Sequence, residues 1–283
     1  MTGLDSHTIL YGVFGDPVRH SRSPLMLNRA FAEAGVNGAY AAFHVKPEGL
    51  SEAVAGIRAL GFRGVNVTIP HKVEVMAHLD EIDEGARVIG AVNTIVNDGG
   101  KLTGYNTDGI GYARSLKEET GLSLRGCRVL LLGAGGAARG VAYALAKEGA
   151  ASVCIANRTT SRADELAAAI AAFAPARGVA LDEIAGLADD VDLVVNTTSA
   201  GMHPHVDELP ADTSWVDGRH IASDLIYNPR TTRFLREAQE RGARIHGGLG
   251  MFIYQGAYAF EYWTGLPAPV AAMRQVVEQS LTP

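Results

Sequence analysis

The sequence predicts an α/β protein with two domains. Strand-like and helix-like patterns alternate along most of the chain, which is typical of sheets whose strands are connected by helices. The run CRVLLL at 127–132 is short and almost wholly apolar, as expected of a parallel strand buried on both faces. The length of 283 residues is enough for roughly two domains.

The first third of the chain alternates strands and helices with clear stop signals. Ser23 is predicted to cap a helix that has Pro24 in its first position, and Gly35 is predicted to end that helix. The Asn-Asp-Gly-Gly sequence at 97–100 predicts a hairpin turn. The predicted elements are strand 8–14, helix 24–34, strand 39–45, helix 50–60, strand 65–69, a helical stretch over 73–89 broken near Asp80, strands 91–96 and 101–105, and a helix from 108 to about 119.

A second alternating unit begins near Arg125 and has the βαβ pattern of a doubly wound sheet. The segment 202–219 is rich in His, Pro and Asp, lacks periodicity and is predicted to be a surface loop. After Ile245 the chain enters an apolar, glycine-rich segment. The predicted elements are strand 127–132, helix 136–148, strand 151–156, helix 161–173, strands 191–196 and 220–226, helix 232–241 and an amphipathic helix 270–281.

The composition argues against several classes of protein. The net charge is −6, from 25 basic and 31 acidic residues, which disfavours broad binding to the phosphate backbone of nucleic acids. The first residues lack the basic and apolar regions of a signal peptide, so none is predicted. The sequence has no run of about 18 apolar residues, so no membrane span is predicted. Cys127 and Cys154 lie in predicted strands and are expected to be buried thiols rather than a disulfide or a metal pair. His203 and His205 have no third ligand at a helpful spacing, so no metal site is predicted.

Four polar residues are predicted to lie at strand ends in the first unit. Thr68 and Lys72 belong to VNVTIPHK, in which Pro70 ends a strand because it cannot donate to a sheet. Asn93 and Asp108 lie at the ends of later strands. Open α/β sheets place their ligand sites at the carboxyl ends of strands. The four side chains therefore predict one assembled polar site rather than four ordinary loop residues.

A glycine-rich turn predicts a dinucleotide site in the second unit. The sequence Gly133-Ala134-Gly135-Gly136-Ala137-Ala138 follows a predicted strand, opens a predicted helix and fits the fingerprint G-x-G-x-x-A. Gly133 permits the tight turn, Gly135 lets backbone N–H groups approach a pyrophosphate, and Ala138 allows close packing of helix on strand. The N-terminus of a helix favours such an anion.

The end of the next strand distinguishes between the two nicotinamide dinucleotides. Proteins that bind NAD usually carry Asp or Glu about 20 residues further on, where it binds the ribose 2′-hydroxyl. The corresponding residue here is the uncharged Asn157, followed by Arg158 and Thr159 and then by Arg162. Two guanidinium groups at a helix N-terminus oppose the helix dipole, and a 2′-phosphate would compensate for them. The pattern therefore predicts NADP as the cofactor.

Nine motifs follow one another in an order and spacing that are specific for one family. They are SRSP at 21–24, NVTIPHK at 66–72, GAVNT at 90–94, YNTDG at 105–109, GAGGAAR at 133–139, NRTTSR at 157–162, NTTSAGM at 196–202, DLIYNP at 224–229 and GLGMFIYQG at 248–256. Through them the chain resembles the shikimate dehydrogenase family over essentially its whole length. The resemblance implies reversible, NADPH-dependent reduction of 3-dehydroshikimate to shikimate.

The resemblance also implies a domain organisation. An N-terminal α/β domain (1–109) would bind the substrate, a Rossmann domain (110–246) would bind NADP, and C-terminal helices (247–283) would complete the substrate domain. Two residues depart from the family pattern. Leu27 stands where many members have His, and Leu225 stands where a variant of the family has Met. Neither change removes a reacting group.

Roles for individual residues follow from the same resemblance. Lys72 and Asp108 would form the catalytic pair. The implied substrate-binding residues are Ser21 and Ser23 for the carboxylate, with Tyr227 near it, and Thr68, Lys72, Asn93, Asp108 and Gln255 for the ring hydroxyls. The implied cofactor-binding residues are Glu84, Gly133, Ala134, Gly135, Gly136, Ala137, Asn157, Arg158, Thr159, Arg162, Leu225 and Gly248, the last near the nicotinamide.

Two alternative functions stay open on the sequence alone. A quinate or aminoshikimate dehydrogenase has the same fold and chemistry, but relatives of that kind that prefer NAD replace the NRT segment with an acidic residue, and some have Thr where Ser23 stands. A dinucleotide-binding sensor without catalysis would be free to lose Lys72 or Asp108, and both are present. The expected partners are NADP and a small-molecule substrate, in a cytoplasmic protein without nucleic-acid or membrane partners. The oligomeric state stays open, a homodimer included.

Overall fold

The computed structural model describes residues 4–281 and divides the chain into two compact units. The first unit consists of the residues up to Thr107 together with those from Ile253 onward, and the second unit is Asp108–Phe252. Each unit contains one six-stranded sheet, so the prediction of an α/β protein is confirmed. Within the described range, no helix is both long enough and apolar enough to cross a membrane.

The first sheet is formed between residues 9 and 105. In chain order the elements are β1 (Ile9–Gly15), α1 (Ser23–Glu33), β2 (Gly38–His44), α2 (Leu50–Ala59), β3 (Phe62–Val67), β4 (Glu81–Ile82), α3 (Glu84–Ile89), β5 (Thr94–Asp98) and β6 (Lys101–Tyr105), with 3-10 turns at Pro47–Gly49 and Glu74–His78. The spatial order is β2-β1-β3-β5-β6-β4. β1, β2 and β3 are parallel, whereas β5 is antiparallel to both β3 and β6. The carboxyl ends of β1, β2, β3 and β6 therefore lie at the same edge of the sheet as the start of β5.

The β5–β6 hairpin forms where the turn signal predicts it. Gly99 and Gly100 have φ angles of 60° and 99°, and a tight hairpin turn needs this left-handed conformation at both central positions. Gly35, with φ of 69°, follows the end of α1 as predicted. Glycine accounts for both chain reversals because it has no Cβ atom to clash there.

The predicted cap of the first helix is wrong. Ser23 is itself the first residue of α1, and the capping position is Arg22, which makes no side-chain cap hydrogen bond. The hydroxyl of Ser21 accepts a hydrogen bond from the Ser23 N–H at 3.3 Å. The sequence Ser-x-Ser thus uses its first serine, rather than its second, to bind a free N–H group at this helix end.

Two further boundaries differ from prediction because local hydrogen bonds redirect the chain. β3 ends at Val67 rather than residue 69, since the carbonyl of Thr68 already accepts the turn hydrogen bond of the His71 N–H at 3.0 Å. The stretch 73–89 is not one broken helix. The Asp80 carboxylate accepts the N–H of Leu102 at 2.7 Å, and this bond draws the chain alongside β6 to form β4.

The second sheet is a doubly wound parallel sheet, as predicted. In chain order the elements are α4 (Asp108–Thr120), β7 (Arg128–Leu132), α5 (Gly136–Lys147), β8 (Ser152–Ala156), α6 (Thr160–Ile170), β9 (Ala176–Val179), β10 (Leu193–Asn196), β11 (Ile221–Asp224), α7 (Arg233–Glu240) and β12 (Arg244–His246), with a 3-10 turn at Ile184–Asp190. The strand order β9-β8-β7-β10-β11-β12 corresponds to 3-2-1-4-5-6. All neighbours are parallel. β9 and β12 are edge strands of four and three residues, too short to show a pattern in the sequence.

The segment 202–219 contains neither helix nor strand, but it is not purely a surface loop. Thr213 and Val216 are buried, and their carbonyl groups accept hydrogen bonds from Arg241 at 3.0 and 2.9 Å. Cys127 and Cys154 are buried and free, as predicted. Cys154 lies in β8, whereas Cys127 lies just before β7, and burial raises the pKa of the Cys127 thiol to about 12.

Two helices end the described chain, α8 (Leu249–Thr264) and α9 (Val270–Leu281). From Ile253 onward they belong to the first unit and complete its core. The indole N–H of Trp263 donates to the carbonyl of Ile95 at 2.9 Å, and a Cβ atom on Gly64 would lie only 1.9 Å from that indole nitrogen. The close fit explains the glycine in the middle of β3.

Candidate active site

Thr68 and Asn93 lie at one edge of the first sheet. Thr68 directly follows β3 and Asn93 directly precedes β5, and these two strands are antiparallel neighbours. The Val67 N–H donates to the Asn93 carbonyl at 2.8 Å, which closes this end of the strand pair. The sheet therefore brings together two of the four polar residues that the sequence predicts to form a site.

The turn that carries Lys72 is held at both ends. The Thr68 N–H donates to the Phe14 carbonyl at 2.9 Å, and the Lys72 carbonyl accepts the N–H of Val92 at 2.8 Å. Between them the buried His71 ring bonds the carbonyl of Val45 at 2.6 Å. The Lys72 side chain is half-buried. A lysine on a turn fixed by three neighbouring segments is available for chemistry rather than for core packing.

A buried hydrogen-bond network lies behind this edge. Asn93 donates to the Thr107 hydroxyl at 3.1 Å and accepts the Thr107 N–H at 2.9 Å and the Thr94 hydroxyl at 3.0 Å. Asn66 donates to the Thr94 hydroxyl at 3.0 Å and accepts the Tyr40 hydroxyl at 2.7 Å. All five residues are buried. Since buried polar groups are costly to leave unbonded, the network fixes the position of Asn93 and of Thr107, the residue before Asp108.

The same network reaches the start of α1. The Tyr40 hydroxyl also interacts with Ser23, which is 8% exposed, and burial raises the pKa of Tyr40 well above its ordinary value. Tyr40 therefore keeps its proton, and with it a hydrogen-bond donor, even above neutral pH. Ser21, two residues before Ser23, is half-buried. The two serines thus stand at a helix N-terminus, where backbone N–H groups and hydroxyls favour an anion.

Asp108 begins the second unit as the first residue of α4. It is 6% exposed. The next residue, Gly109, packs against α5 so closely that a Cβ atom would lie 2.1 Å from the carbonyl oxygen of Gly140. The Asp-Gly pair of YNTDG therefore combines a buried carboxylate with the close approach of two helices.

The glycine-rich turn has the geometry that the fingerprint predicts. Gly133 follows β7 with φ of 111°, and a Cβ atom there would lie 2.7 Å from the Thr197 hydroxyl that follows β10. This is the point at which the strand order reverses, where open α/β sheets bind their ligands. At Gly135 and Gly136 a Cβ atom would meet nothing within 4 Å. These two glycines serve no internal packing, and they leave the N-terminus of α5 open for the close approach of a phosphate.

The residues predicted to bind the 2′-phosphate lie at the end of β8 and the start of α6. Asn157 is half-buried and donates to the Thr159 carbonyl at 3.0 Å, whereas Arg158, Thr159 and Arg162 are exposed. Thr159 occupies the capping position of α6 without a side-chain cap bond. The donor set of two guanidiniums, a hydroxyl and open N–H groups fits a phosphate monoester.

Leu225, Tyr227 and Gly248 lie together at the far half of the second sheet. Leu225 and Tyr227 follow β11, and the Gly248 N–H donates to the Ile226 carbonyl at 3.1 Å. A Cβ atom on Gly248 would lie 2.0 Å from the Leu225 carbonyl oxygen. The Tyr227 ring stacks on Phe252 with centroids 4.7 Å apart. Position 248 therefore has to be glycine because the Leu225 backbone leaves no room for a side chain. The sequence alone does not show this contact.

The two remaining predicted site residues, Gln255 and Glu84, both lie on helices. Gln255 is half-buried in α8 within the first unit, and Glu84 is exposed as the first residue of α3. Glu84 follows β4. Because β4 is parallel to β6, the carboxyl ends of these two strands lie at the same edge of the first sheet. Within residues 4–281, no group of three or more His, Cys, Asp or Glu side chains is arranged to hold a metal ion.

Several residues of the site were not identified from the sequence. Their common feature is a buried polar side chain within or beside an apolar strand; they are Tyr40, Asn66, Thr94, Thr107, Asn196 and Asp224. A usable signal was present in VNVTIP and AVNTIV, where Asn66 and Thr94 interrupt runs that would otherwise be wholly apolar. Buried polar groups need specific partners, and the partners here come from distant parts of the chain.

Comparison with known proteins identifies the family. Three family models match the chain: the shikimate dehydrogenase substrate binding domain over residues 13–95, shikimate / quinate 5-dehydrogenase over 115–208, and the shikimate 5′-dehydrogenase C-terminal domain over 248–278. The chain is 51% identical over 285 residues to the shikimate dehydrogenase (NADP(+)) of Moorella thermoacetica, which covers 99% of this chain and 96% of that protein. The chain belongs to the shikimate dehydrogenase family. The corresponding Geobacillus enzyme is 50% identical over 272 residues, or 96% of this chain and 98% of the relative.

Solved structures of the family have the same fold. A shikimate dehydrogenase in complex with NADP+ superimposes with a TM-score of 0.93 at 43% identity, covering 99% of this chain and 98% of that one. A quinate dehydrogenase from Corynebacterium glutamicum in complex with NAD gives a TM-score of 0.90 at 33% identity, covering 96% and 99%. The family therefore includes members with different substrates and cofactors. Family membership alone does not distinguish between these activities, so the residues of the site are needed to choose between them.

Proposed function

We propose that this protein catalyses the reversible, NADPH-dependent reduction of 3-dehydroshikimate to shikimate. The observation that carries the proposal is the identity of about half of all residues with curated NADP-dependent shikimate dehydrogenases over nearly the whole chain. The two proposed catalytic side chains, Lys72 and Asp108, are present, and so is Asn93, a proposed substrate contact. The first unit binds the substrate and the second binds NADP.

The reaction requires the protein to transfer one proton to or from the carbonyl oxygen of the substrate. NADPH supplies the hydride that the carbonyl carbon receives. The Lys72 ammonium stabilises the negative charge that develops on the carbonyl oxygen and donates a proton to it, and in the reverse direction the neutral amine removes that proton. Asp108 accepts a hydrogen bond from a neighbouring hydroxyl of the ring. These two residues are the proposed catalytic groups.

The substrate is small, anionic and rich in hydroxyls, and the proposed pocket residues suit it. Ser21 and Ser23 bind the carboxylate at the N-terminus of α1, and Tyr227 contributes near that group. Thr68, Asn93 and Gln255 bind the ring hydroxyls. Hydroxyl and amide groups can both donate and accept, so they match hydroxyl groups of a ligand without adding charge.

The cofactor is held by backbone and side chains of the second unit. Residues 133–137 bind the pyrophosphate at the N-terminus of α5, because backbone N–H groups and the helix dipole favour an anion there. Asn157, Arg158, Thr159 and Arg162 bind the 2′-phosphate. Leu225 and Gly248 lie against the nicotinamide, and Glu84 of the first unit is the remaining proposed cofactor contact.

The rival assignments differ in measurable ways. A quinate dehydrogenase that uses NAD needs an acid in place of Asn157, and this chain carries two arginines close by instead. Aminoshikimate is a second alternative substrate of the same type. A sensor without catalysis would have no need of Lys72 or Asp108. The test is nicotinamide absorbance with shikimate, quinate or aminoshikimate against NADP and NAD. Highest kcat/KM with shikimate and NADP supports the proposal, and preference for quinate with NAD, or absence of turnover, overturns it.

The proposal extends to location and assembly. A biosynthetic dehydrogenase that depends on NADPH works where NADPH is regenerated, so we place it in the cytoplasm. We propose a homodimer as the assembly to be tested, by light scattering on the purified protein at the concentrations used for kinetics. A monomeric mass at those concentrations would refute the dimer without affecting the proposed reaction.

A further inference from the structure

A buried carboxylate lies at the end of β11, where no ligand-binding role has been assigned to it. Asp224 is the last residue of that strand, and its register partner is Asn196, the last residue of β10. Both side chains are fully buried. A buried charge is costly unless hydrogen bonds satisfy it, so the surroundings of Asp224 must be organised around it.

The Asp224 carboxylate binds three separate segments. One oxygen accepts the amide of Asn196 at 3.1 Å and the hydroxyl of Thr232 at 2.7 Å. The other oxygen accepts the N–H of Ile226 at 3.0 Å. Thr232 is the capping residue of α7, so one carboxylate connects the end of β10, the chain after β11 and the start of α7.

Asn196 extends the arrangement to the chain after β10. Its carbonyl oxygen accepts the N–H and the hydroxyl of Thr198 at 3.0 and 2.7 Å, and its amide also donates to the Ala200 carbonyl at 3.1 Å. The NTTSAGM and DLIYNP motifs are therefore two halves of one hydrogen-bonded structure. Its centre is the pair Asn196–Asp224.

The segment that Asp224 fixes is the one that carries proposed cofactor contacts. Ile226, held through its N–H, accepts the Gly248 N–H through its carbonyl at 3.1 Å. Gly248 in turn fits against the Leu225 carbonyl with no room for a side chain. The position of Gly248 thus depends on the bond between Asp224 and Ile226, whereas Leu225 is also held by its own N–H, which donates to the Asn196 carbonyl at 3.1 Å.

The place of this segment in the sheet indicates which part of the cofactor it serves. A doubly wound sheet consists of two mononucleotide-binding halves. The adenosine half corresponds to β7, β8 and β9, since the glycine-rich turn follows β7 and the phosphate-binding arginines follow β8. The half that contains β10, β11 and β12 is left for the nicotinamide.

We propose that Asp224 is a positioning residue for hydride transfer. It touches neither cofactor nor substrate, but its carboxylate sets the conformation of residues 225–227 and of Gly248 against which the nicotinamide ring is placed. The proposal rests on the dehydrogenase function proposed above. Because hydride transfer is sensitive to small errors in geometry, loosening this segment slows the chemical step more than it weakens binding.

The test compares two conservative variants at opposite ends of adjacent strands. In Asp224→Asn an amide nitrogen replaces an acceptor oxygen and faces other donors. The matched control is Asp192→Asn at the other end of β10, where the carboxylate accepts the N–H and guanidinium of Arg128 at 2.8 and 2.7 Å. Both variants lose charged hydrogen bonds, but only Asp224 lies next to the proposed nicotinamide site. All measurements are made well below the melting temperature of each variant.

Single-turnover hydride transfer and binding of adenosine 2′,5′-bisphosphate are the two readouts. We expect Asp224→Asn to slow hydride transfer at least tenfold and to leave the dissociation constant of the adenosine fragment within about twofold of wild type. Asp192→Asn should change neither. Hydride transfer at the wild-type rate in Asp224→Asn, or parallel loss of fragment binding, overturns the proposal. Absence of turnover in the wild type would instead refute the proposed function.

A second pair of variants covers the case in which Asp224→Asn does not fold. Thr232→Val removes the hydroxyl that donates to Asp224 while keeping the shape of the side chain, and Thr232→Ser keeps the hydroxyl. We expect the valine variant to slow hydride transfer about threefold or more and the serine variant to stay near wild type, since only the hydroxyl bonds the carboxylate. Equal rates in the two variants overturn the proposal.

Discussion

The preference for NADP over NAD provides the sharpest test of the cofactor site. Arg158 and Arg162 are exposed at the start of α6, and neither forms an ion pair with any side chain among residues 4–281. The positive end of the helix dipole lies at the same place, so the two charges have no internal compensation. An uncompensated cationic site of this kind is expected to bind the 2′-phosphate, which NADP has and NAD lacks.

The size of the effect follows from the exposure of the two side chains. A hydrogen bond to a charged group contributes about 1.5–3 kcal/mol, and solvent screening places an exposed arginine at the lower part of that range. Arg158→Ala should therefore lower kcat/KM with NADP by about tenfold to thirtyfold and leave kcat/KM with NAD nearly unchanged. If both guanidiniums bind one phosphate, Arg158→Ala combined with Arg162→Ala should lose less than the sum of the single losses in free energy.

The assay is steady-state oxidation of shikimate with each cofactor, in low and high salt. The matched control is Arg236→Ala on the exposed side of α7, which removes the same charge from the same unit without touching α6. The loss with NADP should shrink at high salt, because exposed charges are screened. Equal loss with both cofactors in Arg158→Ala, or a wild type that prefers NAD, would refute the phosphate-binding interpretation and favour the quinate-type alternative.

Four further outcomes are expected. Lys72→Ala should lower kcat by about a hundredfold with little change in melting temperature, because its role is in proton transfer; near-normal turnover would exclude that role. Ser23→Ala should raise KM for shikimate far more than KM for NADP, and equal effects would assign it a structural role only. Asn66→Ala should cost about 1–3 kcal/mol in urea unfolding, because it removes the acceptor of the buried Tyr40 hydroxyl and a donor to the buried Thr94 hydroxyl; an unchanged midpoint would contradict the network. Burial raises the pKa of Asp224 from 3.8 to about 6, so the folded state binds a proton between those values that the unfolded state does not. The unfolding free energy of wild type relative to Asp224→Asn should therefore fall by about 2 kcal/mol as the pH rises from 4 to 6, and a pH-independent difference would show that the carboxylate titrates normally.

The features that the sequence predicted correctly are those that depend on local chain geometry. Gly133 was predicted from its place after a strand, and its φ of 111° is a property of that turn alone. The hairpin at Gly99 and Gly100 is equally local. Lys72 was predicted from a similarly local signal, because Pro70 interrupts the strand pattern two residues before it, and its catalytic role stays a prediction. In each case the signal and its cause lie within a few residues, so a single sequence suffices.

The features that could not be predicted depend on partners far away in the chain. β4 exists because Asp80 bonds Leu102, and the role of Asn66 depends on Tyr40 and Thr94. No periodicity encodes such pairs. The misplaced cap at Ser23 has a related origin, since either serine of Ser-x-Ser could bind the first free N–H group, and the choice depends on the conformation of Arg22.

Asn66 and Asp224 play the same part in the two sheets. Each is a buried polar side chain at the end of an interior strand, and each bonds several neighbouring segments that carry proposed ligand contacts. An apolar side chain would fill either space, but it would leave the segments free to shift, because apolar contacts have no preferred direction. A buried amide or carboxylate tolerates only arrangements that satisfy it. The hydrogen bonds of Asn66 and Asp224 have fixed directions, and this is a physical reason for placing polar side chains inside both sheets. Those bonds hold the neighbouring segments in place with the accuracy that hydride and proton transfer require.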